Sequence, residues 1–295
     1  MEPIATLRPL RHLGVLLAAL ALALPGTARA QEAKLRPNLE KPGVVRVCAD
    51  PDNMPASNQK GEGFENKIAE LIAKEWNSTV EYAWWPVRRG FFARALNGRY
   101  CDIAITAPAG LDVAATTKPY FRSAYVIVYR KDSGLNLTSL NDTTWKHLKI
   151  GVNLLNSDAE NTPPAMALSA HGVVGNLVGF TTFFSEERDR PEDIINAVVN
   201  KSVDAAIVWG PIAGYFAKRS PVPLVLNPVL EDSASGLPFA FSIAMATRRR
   251  DRELRDSLQK VLDTKGPEIQ SILQQYGVPM VPLPRDSTQR AGRAG

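Results

Sequence analysis

A small set of residues in this 295-residue sequence have the types and positions that recognition chemistry requires. Asp50 and Asn53 follow a β-rich run, Val44-Val45-Arg46-Val47. Trp85, Arg88 and Arg89 follow a second run, Val80 to Trp84, and Pro108, Ala109 and Gly110 follow a third, Ile103-Ala104-Ile105. Later in the chain Asn153 follows Leu148 to Val152, while Trp209 and Pro211 follow Asp204 to Ile207. In open α/β sheets, residues just past the carboxyl ends of strands line the ligand crevice. Carboxylate, amide, guanidinium and indole groups gathered there suit binding.

Each of these residues also has a plainer reading. Trp84 and Trp85 are adjacent on a strand, so one faces each side, and either can be the core residue. Arg88 and Arg89 are either a solvated helix start or recognition groups. Two arginines at a helix N-terminus oppose the helix dipole, which favours the second reading. Trp209 either fills space or forms a pocket for an apolar or aromatic group facing Pro108-Ala109-Gly110 across the cleft. Arg248-Arg249-Arg250, a dense basic run, reads as a solvated helix start.

Signatures of catalysis are missing. Beyond the first thirty residues the histidines are His147 and His171, which have no partner at metal-ligand spacing. There is no Gly-x-Ser-x-Gly elbow, phosphate loop or Cys-x-x-Cys pair. The expectation is a binding protein with no catalytic residue, no metal and no cofactor. Asn136-Leu137-Thr138 and Asn141-Asp142-Thr143 match glycosylation sequons, which reads as chance in a bacterial-type exported chain.

Short strand-forming runs alternate with amphipathic segments, which reads as α/β. Phe64 to Trp76 carries Ile68, Leu71, Ile72 and Trp76 on one face, and a further helix is expected from about Gly90 to Leu96. With their strands these make a βαβαβ unit. A second unit follows: strand Leu148 to Val152, helix Pro163 to Ala170, strand Leu177 to Phe180, helix Pro191 to Val199, strand Asp204 to Ile207. The two halves end alike, Leu96 to Ile105 echoing Val199 to Ile207. The expected fold class is therefore α/β with two lobes of one architecture, each a mostly parallel sheet flanked by helices. Two hinge strands join them, at 125–129 and 239–244. Lobe I is expected over 43–124 and 245–284 and lobe II over 130–238. Two helices separated by Gly266 and Pro267 pack back on lobe I.

Both ends of the chain fall outside this core. Arg8 and Arg11, the apolar run Leu13 to Leu24, Pro25-Gly26 and Ala28-Arg29-Ala30 read as a signal peptide cleaved after about Ala30. The run is too short for a transmembrane helix, and no later stretch is long and apolar enough to span a bilayer. Residues 31–42 read as an N-terminal arm and 285–295 as a disordered tail. Loss of the signal segment removes three arginines and one glutamate, so a formal charge of +5 becomes +3. That balance lacks the concentrated basic face that nucleic acid binding requires. Export to an oxidising compartment makes Cys48 and Cys101 a disulfide pair, closing a loop of about 54 residues.

Gly63-Phe64-Glu65, Asp102-Ile103-Ala104-Ile105-Thr106 and Thr117-Lys118-Pro119-Tyr120, in that order, resemble the periplasmic amino-acid-binding proteins. The resemblance implies a periplasmic binding protein-like clam-shell whose two lobes close on a ligand. Its arginine for the ligand carboxylate falls here near Gly110, and its aspartate for the ammonium falls near Trp209. Its Gly-Thr turn is absent from Ile150-Gly151-Val152-Asn153-Leu154-Leu155. An α-amino acid in the closed cleft would leave two charges unpaired, costing several kcal/mol.

A narrower resemblance accommodates these departures. Val47 to Pro55, Trp84 to Phe91, Pro119 to Val126, Thr162 to Ala165 and Trp209 to Phe216 are similar to the quinoprotein-dehydrogenase-associated solute-binding-like proteins, the J proteins of methanol dehydrogenase clusters. The resemblance implies a periplasmic accessory of a pyrroloquinoline-quinone (PQQ)-dependent methanol or alcohol dehydrogenase, acting alongside its c-type cytochrome. The competing expectation is a transport receptor for a small organic solute. Where that group commonly has an aromatic residue after the proline, this chain has Ala56.

Overall fold

The computed structural model describes residues 37–155, 161–182, 184 and 189–284. The expected signal peptide, residues 31–36 of the N-terminal arm and the tail 285–295 lie outside the described residues.

The first sheet is built on β1 (Val44–Ala49), which pairs in parallel with β4 (Thr79–Trp84) and β5 (Ile103–Pro108). Between β1 and β4 run a two-residue hairpin, β2 (Asp52–Asn53) and β3 (Ser57–Asn58), and helix α1 (Phe64–Glu75). Gly63 precedes α1, and its N–H donates to Asn66 Oδ1 at 2.9 Å, the half of a capping box that needs no side chain on the cap residue. The expected helix from Gly90 is instead a five-residue π-helical turn, Phe92–Leu96. Gly90 has a positive φ of 85°, incompatible with a regular first turn.

β6 (Ala114–Thr116) leads to β7 (Phe121–Arg130), which serves both sheets. Its first residues, Phe121 to Ala124, pair with β12 (Ala240–Arg248), and Tyr125 to Arg130 pair with β10 (Ala205–Trp209) and β11 (Leu224–Val229). The strand order β4-β1-β5-β12-β7-β10-β8-β9 is therefore continuous, yet its two halves enclose separate hydrophobic cores. β8 (Ile150–Leu154) is parallel to β9 (Leu177–Thr181) and β10, repeating the arrangement of the first half. Helices α2 (Pro163–Ala170), α3 (Asp193–Val199) and α4 (Gly210–Ala217) flank it. The repeat anticipated from the two similar endings is thus real: β5 and β10 occupy equivalent central positions.

Helix α5 (Arg252–Gln275) carries the break expected at Gly266 and Pro267: two helical segments meet across a kink at the non-helical residue Lys265 (φ −111°, ψ 16°). Pro267 removes one helical hydrogen bond, and both segments pack into the first core, through Leu254, Leu258, Val261 and Leu262 on one side of the kink and Ile269 and Leu273 on the other. Cys48 of β1 and Cys101, two residues before β5, form the disulfide, with Cα atoms 5.3 Å apart.

Candidate functional site

The carboxyl end of the first sheet gathers two acids. Asp50, just beyond β1, is only 8% exposed. Its Oδ2 accepts the Val87 N–H at 2.6 Å and its Oδ1 the Asp52 N–H at 3.0 Å. The Ser57 hydroxyl accepts from the Asp50 N–H and donates to the Asp50 carbonyl. Burial pushes the Asp50 carboxyl up, against the two backbone N–H groups and the nearby Arg88 cation.

The second acid, Glu65, was not singled out from sequence beyond its place in Gly63-Phe64-Glu65. It is the second residue of α1, buried, and accepts the Thr106 hydroxyl of β5. Burial lifts its pKa from 4.5 to about 7, with the Asp50 charge adding to the rise and hydrogen bonds from Thr106 and Ser57 opposing it. Near neutrality Glu65 is divided between a protonated form able to donate and an ionised form able only to accept. The signal was available: Glu65 shares its helical stripe with Ile68 and Ile72, and an acid on an apolar stripe is buried with a partner or protonated.

Around this pair the first sheet distributes the other predicted residues unevenly. Asn53 pairs with Ser57 in the hairpin, whose turn contains a cis Met54–Pro55 bond. Arg88 and Arg89 are exposed beside Val87. Trp85 faces elsewhere: its ring tilts against Tyr100 at 5.3 Å and packs on the cluster containing Cys48, Phe91 and Leu96. Trp84 takes the opposite side, stacked on Tyr82 at 4.6 Å. At the end of β5 Pro108 is exposed, and beyond it the Ala109 N–H donates to the Ser242 carbonyl at 2.9 Å and Gly110 turns with φ 76°.

The second sheet contributes Asn153, Trp209 and Pro211. Asn153 is buried and donates through Nδ2 to the Thr181 carbonyl at 3.2 Å, while its carbonyl accepts the Thr162 hydroxyl at 2.6 Å. Trp209 lies edge-on to Tyr125 (5.5 Å) and Phe241 (6.0 Å) on the two crossing strands and packs against the first core. Burial pushes the Tyr125 hydroxyl up to about 12, so it stays neutral. Pro211 is buried in the first turn of α4, where its missing N–H costs nothing.

Behind the aromatic cluster the two halves are clasped. Gly210 and Gly214 bring α4 against the chain that follows α5: a Cβ on Gly214 would collide with the Gly277 carbonyl oxygen. The Ser123 hydroxyl donates to the Pro279 carbonyl at 2.6 Å, and the Val281 N–H donates to the Arg122 carbonyl at 2.9 Å. The segment after α5 is thus tied to crossing strand β7 and pressed on the second half.

Among the described residues no group of three or more His, Cys, Asp or Glu side chains is placed to hold a metal, and no helix is long and apolar enough to cross a membrane.

Comparison with known proteins agrees with this architecture. Residues 90–278 match the family described as bacterial extracellular solute-binding protein. The crystal structure of periplasmic binding protein XoxJ from Methylobacterium extorquens AM1 is 33% identical, with a TM-score of 0.66 over 81% of this chain and 100% of that one. MxaJ from Methlophaga aminisulfidivorans MPT is 25% identical, with a TM-score of 0.70 over 80% and 100%. Protein MoxJ of Methylorubrum extorquens is 28% identical over 88% of this chain and 91% of its own length. With two lobes of repeated α/β topology, two crossing strands and these relatives, the chain belongs to the bacterial extracellular solute-binding proteins and is a MoxJ-like periplasmic binding protein.

Proposed function

We propose that this protein is a non-catalytic periplasmic accessory of a PQQ-dependent methanol or alcohol dehydrogenase, binding the dehydrogenase to assist its maturation or activation. The observation that carries the reading is Trp209. The indole is wedged among Tyr125 and Phe241, and on the resemblance to amino-acid binders it falls near their ammonium-holding aspartate, as Gly110 falls near their carboxylate-holding arginine. A cleft so furnished favours an apolar segment of a protein over a zwitterion. The names of the relatives, XoxJ, MxaJ and MoxJ, support the same assignment to the J proteins.

In this reading the signal peptide is cleaved after about Ala30, lobe I comprises 43–124 and 245–284, and lobe II comprises 130–238. Asp50, Asn53, Arg88, Arg89, Pro108, Ala109, Gly110, Asn153, Trp209 and Pro211 contribute the cleft, with Glu65 added to its floor and Trp85 acting behind it. The c-type cytochrome of the dehydrogenase belongs to the same assembly. The test is to purify the dehydrogenase from cells lacking this protein. Reduced assembly, activity or quinone content is expected, and an unchanged enzyme overturns the proposal.

A second reading, a receptor delivering a small organic solute to a permease, is favoured by one observation: exposed Arg88 and Arg89 stand at the cleft mouth above two buried acids. Calorimetric titration of small carboxylic acids and alcohols distinguishes the two. Heat with lobe closure in solution scattering supports the receptor; the accessory role expects neither.

A further inference from the structure

The end of the first sheet farthest from the cleft carries a cavity of about 610 Å³. It lies between the π-helical turn, the residue leading into β6 and the end of β12, lined by Arg99, Val113, Arg248, Arg249, Arg250 and Asp251 among others. β5 is six residues long, so this end stands roughly 20 Å from Pro108 and the cleft.

Charge here is unbalanced in a specific way. Asp102, fully buried, accepts Arg46 Nη2 at 2.7 Å, Arg46 Nε at 3.1 Å and Arg248 Nη1 at 3.1 Å. Glu40 takes Arg46 at 2.8 Å and Arg99 at 3.2 Å, and Asp251 takes Arg248 at 2.8 Å. Three carboxylates are thereby committed to three arginines. Arg249 and Arg250 remain, exposed, side by side in sequence, with no carboxylate partner among the described residues. They also precede the first segment of α5, where the helix dipole disfavours further positive charge. Asp251, the helix cap, makes no capping bond because its carboxylate is held by Arg248. Two adjacent guanidiniums held at an unfavourable site, beside a cavity and exposed Val113, gain most from a ligand that brings carboxylates to them.

We propose that this cavity is a docking site for an acidic polypeptide segment of a partner protein, separate from the cleft. Arg249 and Arg250 hold the carboxylates as planar forks, Arg99 extends the basic wall, and Val113 meets an aliphatic stem. The choice of a polypeptide over a free anion follows from exposure. Cations this open to water bind one small ion weakly, whereas a segment carrying several carboxylates engages both forks at once. A concave wall also receives a chain segment better than it receives a flat lipid surface. The proposal stands whichever occupant the cleft takes.

The test is fluorescence anisotropy with a labelled hexaglutamate peptide and the full chain, at low and physiological salt. Binding that weakens with salt and falls at least about tenfold in R249E/R250E, but changes less than about twofold in R88E/R89E, is expected. R249K/R250K, which keeps the charge and loses the fork, should fall between. Absence of binding, equal binding by R249E/R250E, or loss in R88E/R89E overturns the proposal. Inorganic phosphate displacing the peptide at equal concentration also overturns it, by making this a small-anion site. Thermal melts of the variants matching the unsubstituted chain establish that folding is not the cause.

Discussion

The two ends of the first sheet, joined by the same strands, have opposite electrostatics. At the carboxyl ends of β1 and β5, Asp50 and Glu65 are buried among neutral donors, and burial raises both carboxyls. At the amino ends, Asp102 is buried more completely still, but two guanidiniums grip it. The contrast teaches that burial alone does not set an acid's role. An acid buried among backbone N–H groups and hydroxyls has its carboxyl pushed up, while one gripped by arginines ties separate strands into one salt-bridge network.

The largest effect should come from the covalent tie near the basic end. Replacing Cys48 and Cys101 by alanine frees a loop of about 54 residues and should cost about 4 kcal/mol in urea melts on the chain-entropy model. Asp102→Asn should follow, at about 3 kcal/mol, because Arg46 and Arg248 are left half-served in a buried setting.

Glu65→Gln tests the other end through pH. The folded pKa of about 7 lies above the ordinary 4.5, so the fold prefers the neutral acid. Its stability is unpenalised below pH 4.5, falls as pH rises towards 7 and levels off above, a loss of about 3 kcal/mol. The glutamine variant should lack that part of the decline, measured as the difference between the two chains at pH 4.5 and 8. If both decline equally, the acid is paired more strongly than its neighbours indicate. The smallest effect belongs to Arg249→Ala with Arg250→Ala, within about 0.5 kcal/mol, since neither has an internal partner to lose.

Much of the architecture was legible in the sequence. Alternation of β-rich runs with the stripe Ile68, Ile72 and Trp76, and the similar endings at Ile105 and Ile207, reflect local periodicities of 2 and 3.6 residues, which a chain displays before it folds. Short or irregular elements were less legible: β11, the hairpin of Asp52 to Asn58 and the π-helical turn have no period of their own and exist because neighbours satisfy their backbones. Of the candidate site, the positions past the strand ends were readable from topology, but side-chain direction was not. Trp84 and Trp85 illustrate this, since alternation requires them to diverge without saying which way.

The sequence by itself determined the two-lobed α/β plan and the pairing of its two cysteines. These follow from composition and order along the chain. Only the tertiary structure decided that Glu65 carries a shifted proton, that Trp209 wedges against the crossing strands and that Arg249 and Arg250 are left over while Arg248 is consumed. Each of these depends on which groups approach from distant segments, Thr106 to Glu65, Phe241 to Trp209 and Asp102 to Arg248, and electrostatics and packing act through space at a few ångströms.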